Sequence, residues 1–449
     1  MKNPTLAVAK ECRLSGIPQA LLQEIKKKLT LTNPKYRDAV KYGRWIGKNL
    51  KKELHFYTMV GETICFPRGF GNESVRICRN HGIRLQIEDQ RKTRTPQHLR
   101  FHGNLRPYQE KAVNSALARD FGVLEAATGS GKTVMAAALI AQRSQPALIL
   151  IHTKELLYQW QERIRTFLEI DPGLMGDGHN QIQPVTIGLI HTVRKHLDTL
   201  PESFGHIIID EAHRTPSSMF TEIIKEFDCK FMLGLSATPF RRDGLTELIH
   251  WYIGDLVCRV SENELNRNGA VLKPRIIQRE TSFSYRYRGN YQDLMAALTT
   301  DNNRNCQIAD DVTADIRKHD GTALIVSDRI EHCEALTSLL KERNVKTATL
   351  TGRVPGEERN SIVNAVRNGE IQALVATIQL IGEGFDCSGL TSLFLSTPIK
   401  FSGRLTQVIG RILRPAEGKQ PTVYDYIDPV GVLKSSAQAR QLTYEKQNL

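Results

Sequence analysis

A chain of 449 residues is too long for one small core, so two or three domains are expected, and no apolar run approaches the roughly 18 residues that cross a bilayer. With 40% hydrophobic and 24% charged residues the composition is that of an ordinary soluble protein, and the eight cysteines show no C-x-x-C spacing, which argues against a structural metal site. The net charge of +13 is segregated: residues 1–100 carry 21 Lys and Arg against 8 Asp and Glu, while the remainder carries 40 against 40, and such a basic block suits a polyanionic partner.

The opening "MKNPTLAVAKECRL" has a short apolar stretch broken by Lys10 and Glu11, unlike a secretory signal, so an intracellular protein is expected. "PQALLQEIKKKL" carries Leu21, Leu22, Ile25 and Leu29 at helical spacing, and a second helical stretch is expected at about 34–51. "FYTMVGETICFPRGF" reads as a hairpin turning at Gly61 and Glu62, and "IRLQIE" (83–88) as a strand. Together these make a small α+β domain over 1–100, followed by a charged, Pro- and Gly-containing linker, 89–103. From about 121 to 240, buried-strand runs ("FGVLEA", "ALILIH", "VTIGLI", "HIIID", "FMLGLSA") alternate with helical stretches, the pattern of a parallel sheet flanked by helices. A second such series follows ("TALIVS", "KTATLT", "ALVAT", "SLFLS", "TVYDYI"). The fold class is therefore α/β, with two tandem parallel-sheet domains, 101–260 and 261–449, behind the N-terminal domain.

"FGVLEAATGSGKTVMAAALIA" is strand, glycine-containing loop and helix. Gly129 and Gly131 let backbone N–H groups turn around phosphate oxygens, the helix start adds its positive dipole end, Lys132 reaches the β and γ phosphates, and the Thr133 hydroxyl ligates Mg²⁺. Ala126 stands where the pattern usually begins with Gly, a place that mainly needs a small side chain. About 80 residues later, "HIIIDEAH" ends an apolar strand in two carboxylates, which is costly unless a cation or a proton waits there. Asp210 would hold Mg²⁺ through water, and Glu211 would orient and deprotonate the attacking water.

"ATGSGKT", "DEAH" and "SATP" (236–239), followed by "VATIQLIGEGFD" (375–386) and "QVIGRILR" (407–414), resemble in order and spacing the superfamily 2 helicases. The resemblance covers about 105–428, and implies RecA-like folds for both sheet domains. It implies ATP and Mg²⁺ as cofactors, with Thr128, Gly129, Ser130, Gly131, Lys132 and Thr133 around the phosphates. It further implies that Gln109 of "LRPYQ" recognises adenine, that Ser236 and Thr238 couple phosphate release to domain movement, and that Glu383, Gly384 and Asp386 lie near the nucleotide. Thr153 and Thr377 look like contacts to a nucleic-acid backbone; Leu189 stands where relatives often have Thr, so no such contact is carried to that position. In "QVIGRILR", Gln407, Arg411 and Arg414 share a helical face while Val408, Ile412 and Leu413 lean to the core, and the two guanidinium groups suit charge building on a γ phosphate. Neither half alone holds a complete site, so hydrolysis is expected to depend on closure of a cleft between them.

"SATPFRRDGL", "IGEGFD", "FPRGF" and "IEDQR" look like the XPB/UvsW-like branch, which acts on duplex or branched DNA. The basic N-terminal domain is then expected to dock a duplex, fork or junction through Arg37, Lys41 and Arg44, with Tyr36, Tyr42, Trp45, Phe56 and Tyr57 available to stack on bases or to fill a core. DNA is the expected partner, with replication or recombination proteins as further ones, in the cytoplasm, that of the host cell if the chain is phage-encoded. Two other functions stay open: an RNA remodeller with the same motor, and a nucleic-acid-binding scaffold whose nucleotide cleft is a switch.

Overall fold

A computed structural model of the chain describes residues 3–127, 129–214, 218–237, 244–261, 264–265, 272–382, 389–399, 402–413 and 419–446. Its contacts divide into two compact units, Met1–Ala126 with Gly131–Val260, and Ala127–Ser130 with Ser261–Leu449.

The first unit is built on an eight-stranded sheet whose order is His179–Asn180, Gly173–Gly176, Val185–Leu189, Ala147–Ile151, His206–Ile209, Phe231–Ser236, Phe121–Ala126 and Leu256–Val260. All neighbours are parallel except the two-residue edge strand. Parallel strands covered on both faces must be apolar throughout, which is why Ala147–Ile151 and His206–Ile209 are buried along their whole length. The register aligns Ile209 with both Leu150 and Gly234, and Ser236 with Glu125, so the segments leaving these four strands emerge at one edge of the sheet. In open parallel sheets this carboxyl edge is where ligands bind.

The N-terminal residues form a five-stranded sheet in the order Thr58–Val60, Thr63–Pro67, Glu11–Ser15, Thr5–Val8 and Gln86–Asp89, covered by the helices Gln19–Lys28 and Gly71–Asn80. The expected hairpin is present, turning at Gly61 with φ +59°. The expected helix at 34–51 is shorter, Pro34–Lys41, started by Asn33, whose side chain accepts from the Lys35 N–H, and followed by Gly43 at φ +59°. This sheet shares one continuous apolar core with the large one, Leu14, Phe66 and Phe70 packing with Ile249, Trp251 and Ile253. Gly69 lies so close to the backbone that a Cβ there would meet the His250 carbonyl oxygen at 2.2 Å. The linker 89–103 is tied to the large sheet: Arg91 pairs with Asp89 and with Asp120, both at 2.8 Å, Arg94 pairs with Asp228 at 2.7 Å, and Lys92 bridges to Cys229.

The second unit carries a six-stranded, all-parallel sheet in the order Arg275–Glu280, Thr422–Ile427, Leu390–Leu395, Thr322–Ser327, Ala373–Thr377 and Thr347–Leu350. Two buried ion pairs pin its surroundings. Arg304 donates to Asp428 at 2.7 Å with both side chains 1% exposed, and Asp428 also accepts from the Thr281 hydroxyl at 2.6 Å. Arg440, on the last helix Gly431–Lys446, holds Asp425 at 2.7 Å, and the Tyr444 hydroxyl donates to the same carboxylate at 2.9 Å. Among the described residues no helix is long and apolar enough to cross a membrane.

Candidate active site

The loop after strand Phe121–Ala126 turns through two glycines in the left-handed region, Gly129 at φ +85° and Gly131 at φ +80°, before helix Lys132–Arg143 begins. A side chain at either place would be strained, and at Gly131 it would also collide, since a Cβ would lie 2.4 Å from Gln109 Nε2. Gln109 is thus packed directly against the loop. It is buried on helix Pro107–Leu117, and its Oε1 accepts from the Arg106 N–H at 2.9 Å, which orients the amide. Lys132 folds back over the loop and donates to the Ala126 carbonyl at 2.9 Å. Ser130 is fully buried, with its N–H on the Ala127 carbonyl at 3.2 Å, and Thr133 is half-buried in the first helical turn. Thr128 lies outside the described residues.

At the neighbouring strand end Asp210 is held from three sides. Its N–H donates to the Leu150 carbonyl at 3.0 Å, Oδ1 accepts from the Glu211 N–H at 2.9 Å, and Oδ2 accepts from the Trp160 indole N–H at 2.9 Å. Burial pushes its pKa from 3.8 up to about 6, the Glu211 carboxylate adds to that rise, and the Trp160 hydrogen bond and the Lys132 charge oppose it. Glu211 sits at φ +52°, a conformation costing roughly 1 kcal/mol for a non-glycine residue, and its side chain is 26% exposed although Oε2 itself is buried. His213 lies between two of the sequence motifs: its Nδ1 is 3.2 Å from Glu211 Oε2 and 3.3 Å from the Ser236 hydroxyl. Neither Trp160 nor His213 stands out in the sequence, although a buried indole N–H usually finds an acceptor.

The oxygen donors here, Thr133 and the Asp210 and Glu211 carboxylates, are hard ligands that fit Mg²⁺, and a buried carboxylate with a raised pKa is one that a cation would relieve. Thr153 caps helix Lys154–Leu168, its hydroxyl accepting from the Leu156 N–H at 3.4 Å, so it has a local structural role beside any contact it makes.

In the second unit, helix Ser402–Ile412 buries Leu405, Val408, Ile409 and Ile412 and leaves Gln407 and Arg411 half-buried on another face. Arg411 Nε donates to the Ile381 carbonyl at 3.1 Å, tying it to the short helix Ile378–Gly382 that follows Thr377. Thr377 ends strand Ala373–Thr377 and is buried. Arg414, Glu383, Gly384, Asp386 and Thr238 lie outside the described residues. Arg37, Lys41 and Arg44 are exposed around helix Pro34–Lys41.

Two family models match the chain: type III restriction enzyme, res subunit, over residues 102–241, and helicase conserved C-terminal domain, over 306–416, together more than half of it. The chain is 27% identical to "Probable helicase D10" of Escherichia phage T5, over 72% of each chain. It is also 27% identical to "DNA 3'-5' translocase XPB2" of Sulfurisphaera tokodaii, over 69% of this chain and 78% of that one. With "ATP-dependent DNA helicase uvsW" of Enterobacteria phage T4 it shares 24% over 91% of this chain and 86% of the other. Among solved structures, S. cerevisiae Dbp5 bound to RNA and ADP BeF3 aligns with 76% of this chain and 86% of its own at a TM-score of 0.55 and 16% identity, a likeness of fold. The order of the phosphate loop, the strand-end carboxylates and the second-unit arginine helix, with these matches, makes the chain an ATP-dependent helicase of superfamily 2, in its XPB/UvsW-like branch.

Proposed function

We propose that the chain is an ATP-driven motor on duplex, forked or branched DNA, which it unwinds or branch-migrates in replication, recombination or repair. The observation that carries this is the clustering, at one sheet edge, of the glycine loop, Lys132 and the Asp210–Glu211 pair, in a chain whose relatives include named DNA translocases and helicases. In this reading Gln109 sets the adenine, residues 128–133 receive the phosphates, and Thr133 and Asp210 hold Mg²⁺, which screens phosphate charge when bound. Glu211 takes the proton of the attacking water. His213, touching both Glu211 and Ser236, ties that carboxylate to the segment that would respond to phosphate release. Gln407, Arg411 and Arg414, with Gly384 and Asp386, complete the site from residues 261–449, so turnover requires both motor halves, 101–260 and 261–449. Residues 1–100 supply DNA docking through Arg37, Lys41 and Arg44, and Thr153 and Thr377 follow the tracked strand's backbone.

The test is ATPase stimulation by single-stranded DNA, duplex, fork, four-way junction and RNA at one stated salt concentration, since backbone binding is steeply salt-dependent. Forks and junctions are expected to stimulate most; stimulation by RNA alone would overturn the DNA assignment. A chain that keeps its function as Lys132→Ala would be a scaffold.

A further inference from the structure

Asn33 and the residues beside it close a loop. The strands Thr30–Thr32 and Glu53–His55 pair antiparallel, the Asn33 N–H donates to the Lys52 carbonyl at 2.8 Å, and its side-chain amide donates to the Lys51 carbonyl at 2.8 Å. Everything between, residues 33–52, is a single excursion carried on that base. It holds seven cations, Lys35, Arg37, Lys41, Arg44, Lys48, Lys51 and Lys52, against one carboxylate, Asp38. It also carries the most exposed large apolar side chain among the described residues, Trp45, at 87%, with Tyr42 at 61% beside it.

The other aromatic residues of this basic region are already committed. Phe56 packs edge-on against Trp251 with ring centroids 5.5 Å apart, Tyr57 packs against the shared core under Lys26, and Tyr36 is half-buried. The Trp45 ring rests instead on its own loop, so close to Gly47 that a Cβ there would meet the ring at 2.9 Å. Tyr42 is flanked by Lys41 and Arg44, 5.4 and 5.5 Å from its centroid. Folding thus leaves an indole in water amid cations, where burial would have stabilised it. A flat π-face framed by ammonium and guanidinium groups matches an unstacked base framed by its two phosphates. The loop also sits beside the motor: Arg37 Nη1 is 3.4 Å from the Cβ position of Gly244, which follows the segment after Ser236.

We propose that Trp45 stacks on the exposed base at the point where the two strands of a branched DNA part, with the cations of the same loop on the phosphates to either side. This rests on the DNA reading above and makes residues 33–52 the element that distinguishes a branch from a continuous duplex. A second copy of the chain and a membrane surface are the competing occupants.

The experiment uses the full chain, Trp45→Ala and Trp45→Phe, with a fork carrying 2-aminopurine at the branch, the same fork carrying it ten base pairs away, and a blunt duplex. Trp45→Ala is expected to bind the fork about tenfold more weakly and to lose the branch-specific fluorescence change. Its thermal midpoint and duplex-stimulated ATPase are expected to stay unchanged, and Trp45→Phe to recover most of the fork affinity. Equal fork affinity and an equal fluorescence change for Trp45→Ala overturn the proposal. So does a wild-type dimer by sedimentation that Trp45→Ala abolishes, or Trp45-dependent binding to vesicles of phosphatidylglycerol and phosphatidylcholine without a branch signal. Failure of every DNA to stimulate the wild-type ATPase would instead sink the DNA reading itself.

Discussion

The indole N–H of Trp160 donates to Asp210 Oδ2 at 2.9 Å, across 50 positions of sequence and with both residues buried. It leaves the carboxylate one fixed orientation, because the other oxygen is occupied by the Glu211 N–H. Outer partners of this kind set how well a carboxylate meets a cation, typically by 10–100-fold in affinity. Trp160→Phe keeps most of the ring's packing and removes only the donor. We expect the Mg²⁺ concentration for half-maximal ATPase to rise about tenfold, with ATPase at saturating Mg²⁺ falling much less. A metal titration at fixed ATP reads this directly, and an unchanged midpoint would show that the indole only fills space.

The raised pKa of Asp210 makes two pH predictions of opposite sign. With Asp210 holding Mg²⁺ as proposed above, the ion competes with the proton, so apparent Mg²⁺ affinity should fall as pH drops below about 6, approaching tenfold per unit, and excess Mg²⁺ should restore activity. For folding, a carboxyl group raised from 3.8 to about 6 binds its proton more tightly folded than unfolded, so its contribution to stability grows as pH falls through that window. Metal-free wild type should therefore gain in thermal midpoint over Asp210→Asn as pH is lowered from 7.5 to 5. A difference that shrinks on acidification would place the shifted proton elsewhere.

Gly131→Ala would suffer twice, from the left-handed backbone and from the Gln109 amide 2.4 Å from the new Cβ. Loss of stability of about 1–2 kcal/mol and loss of binding to a fluorescent ATP analogue are expected. Adding Gln109→Ala removes the collision and leaves the φ penalty. The double variant should recover part of the stability and none of the nucleotide affinity, as urea melts and analogue titrations would show.

Asp428→Ala strands the Arg304 guanidinium, which is as buried as its partner and otherwise donates to the Ser396 carbonyl at 2.8 Å. Removing one member of such a pair costs about 3–5 kcal/mol, mostly from the uncompensated charge left behind. The loss should appear in urea unfolding of the second unit, and Arg304→Met with Asp428→Leu should recover much of it. A cost below about 1 kcal/mol for the single change would mean that water reaches the pair.

Both parallel sheets were legible from sequence because a strand covered on two faces must be apolar at every position, as "ALILI" and "ALVAT" are. The strands that escaped notice lack that mark: Gly173–Gly176 is glycine-bounded, and Leu256–Val260 and Arg275–Glu280 are edge strands with charged residues. The second helix is shorter than its sequence suggests because Val40, Tyr42, Trp45 and Ile46 imitate an apolar face, while the chain turns at Gly43 and leaves all four exposed. Phe56 and Tyr57 could not be told from Trp45 by composition; only their packing on the shared core separates them.

What the sequence determined by itself is the set of motifs: glycines, Lys132, Thr133, Asp210, Glu211 and Arg411 lie in local strings whose spacing reflects backbone geometry over a few residues. What only the tertiary structure decided is which distant groups hold those residues. Gln109 against Gly131, Trp160 on Asp210, His213 between Glu211 and Ser236, and the basic N-terminal part fused to the motor core are such cases. Each pairs residues that short-range periodicity cannot connect, because their proximity is set by sheet order and by how side chains fill a shared interior.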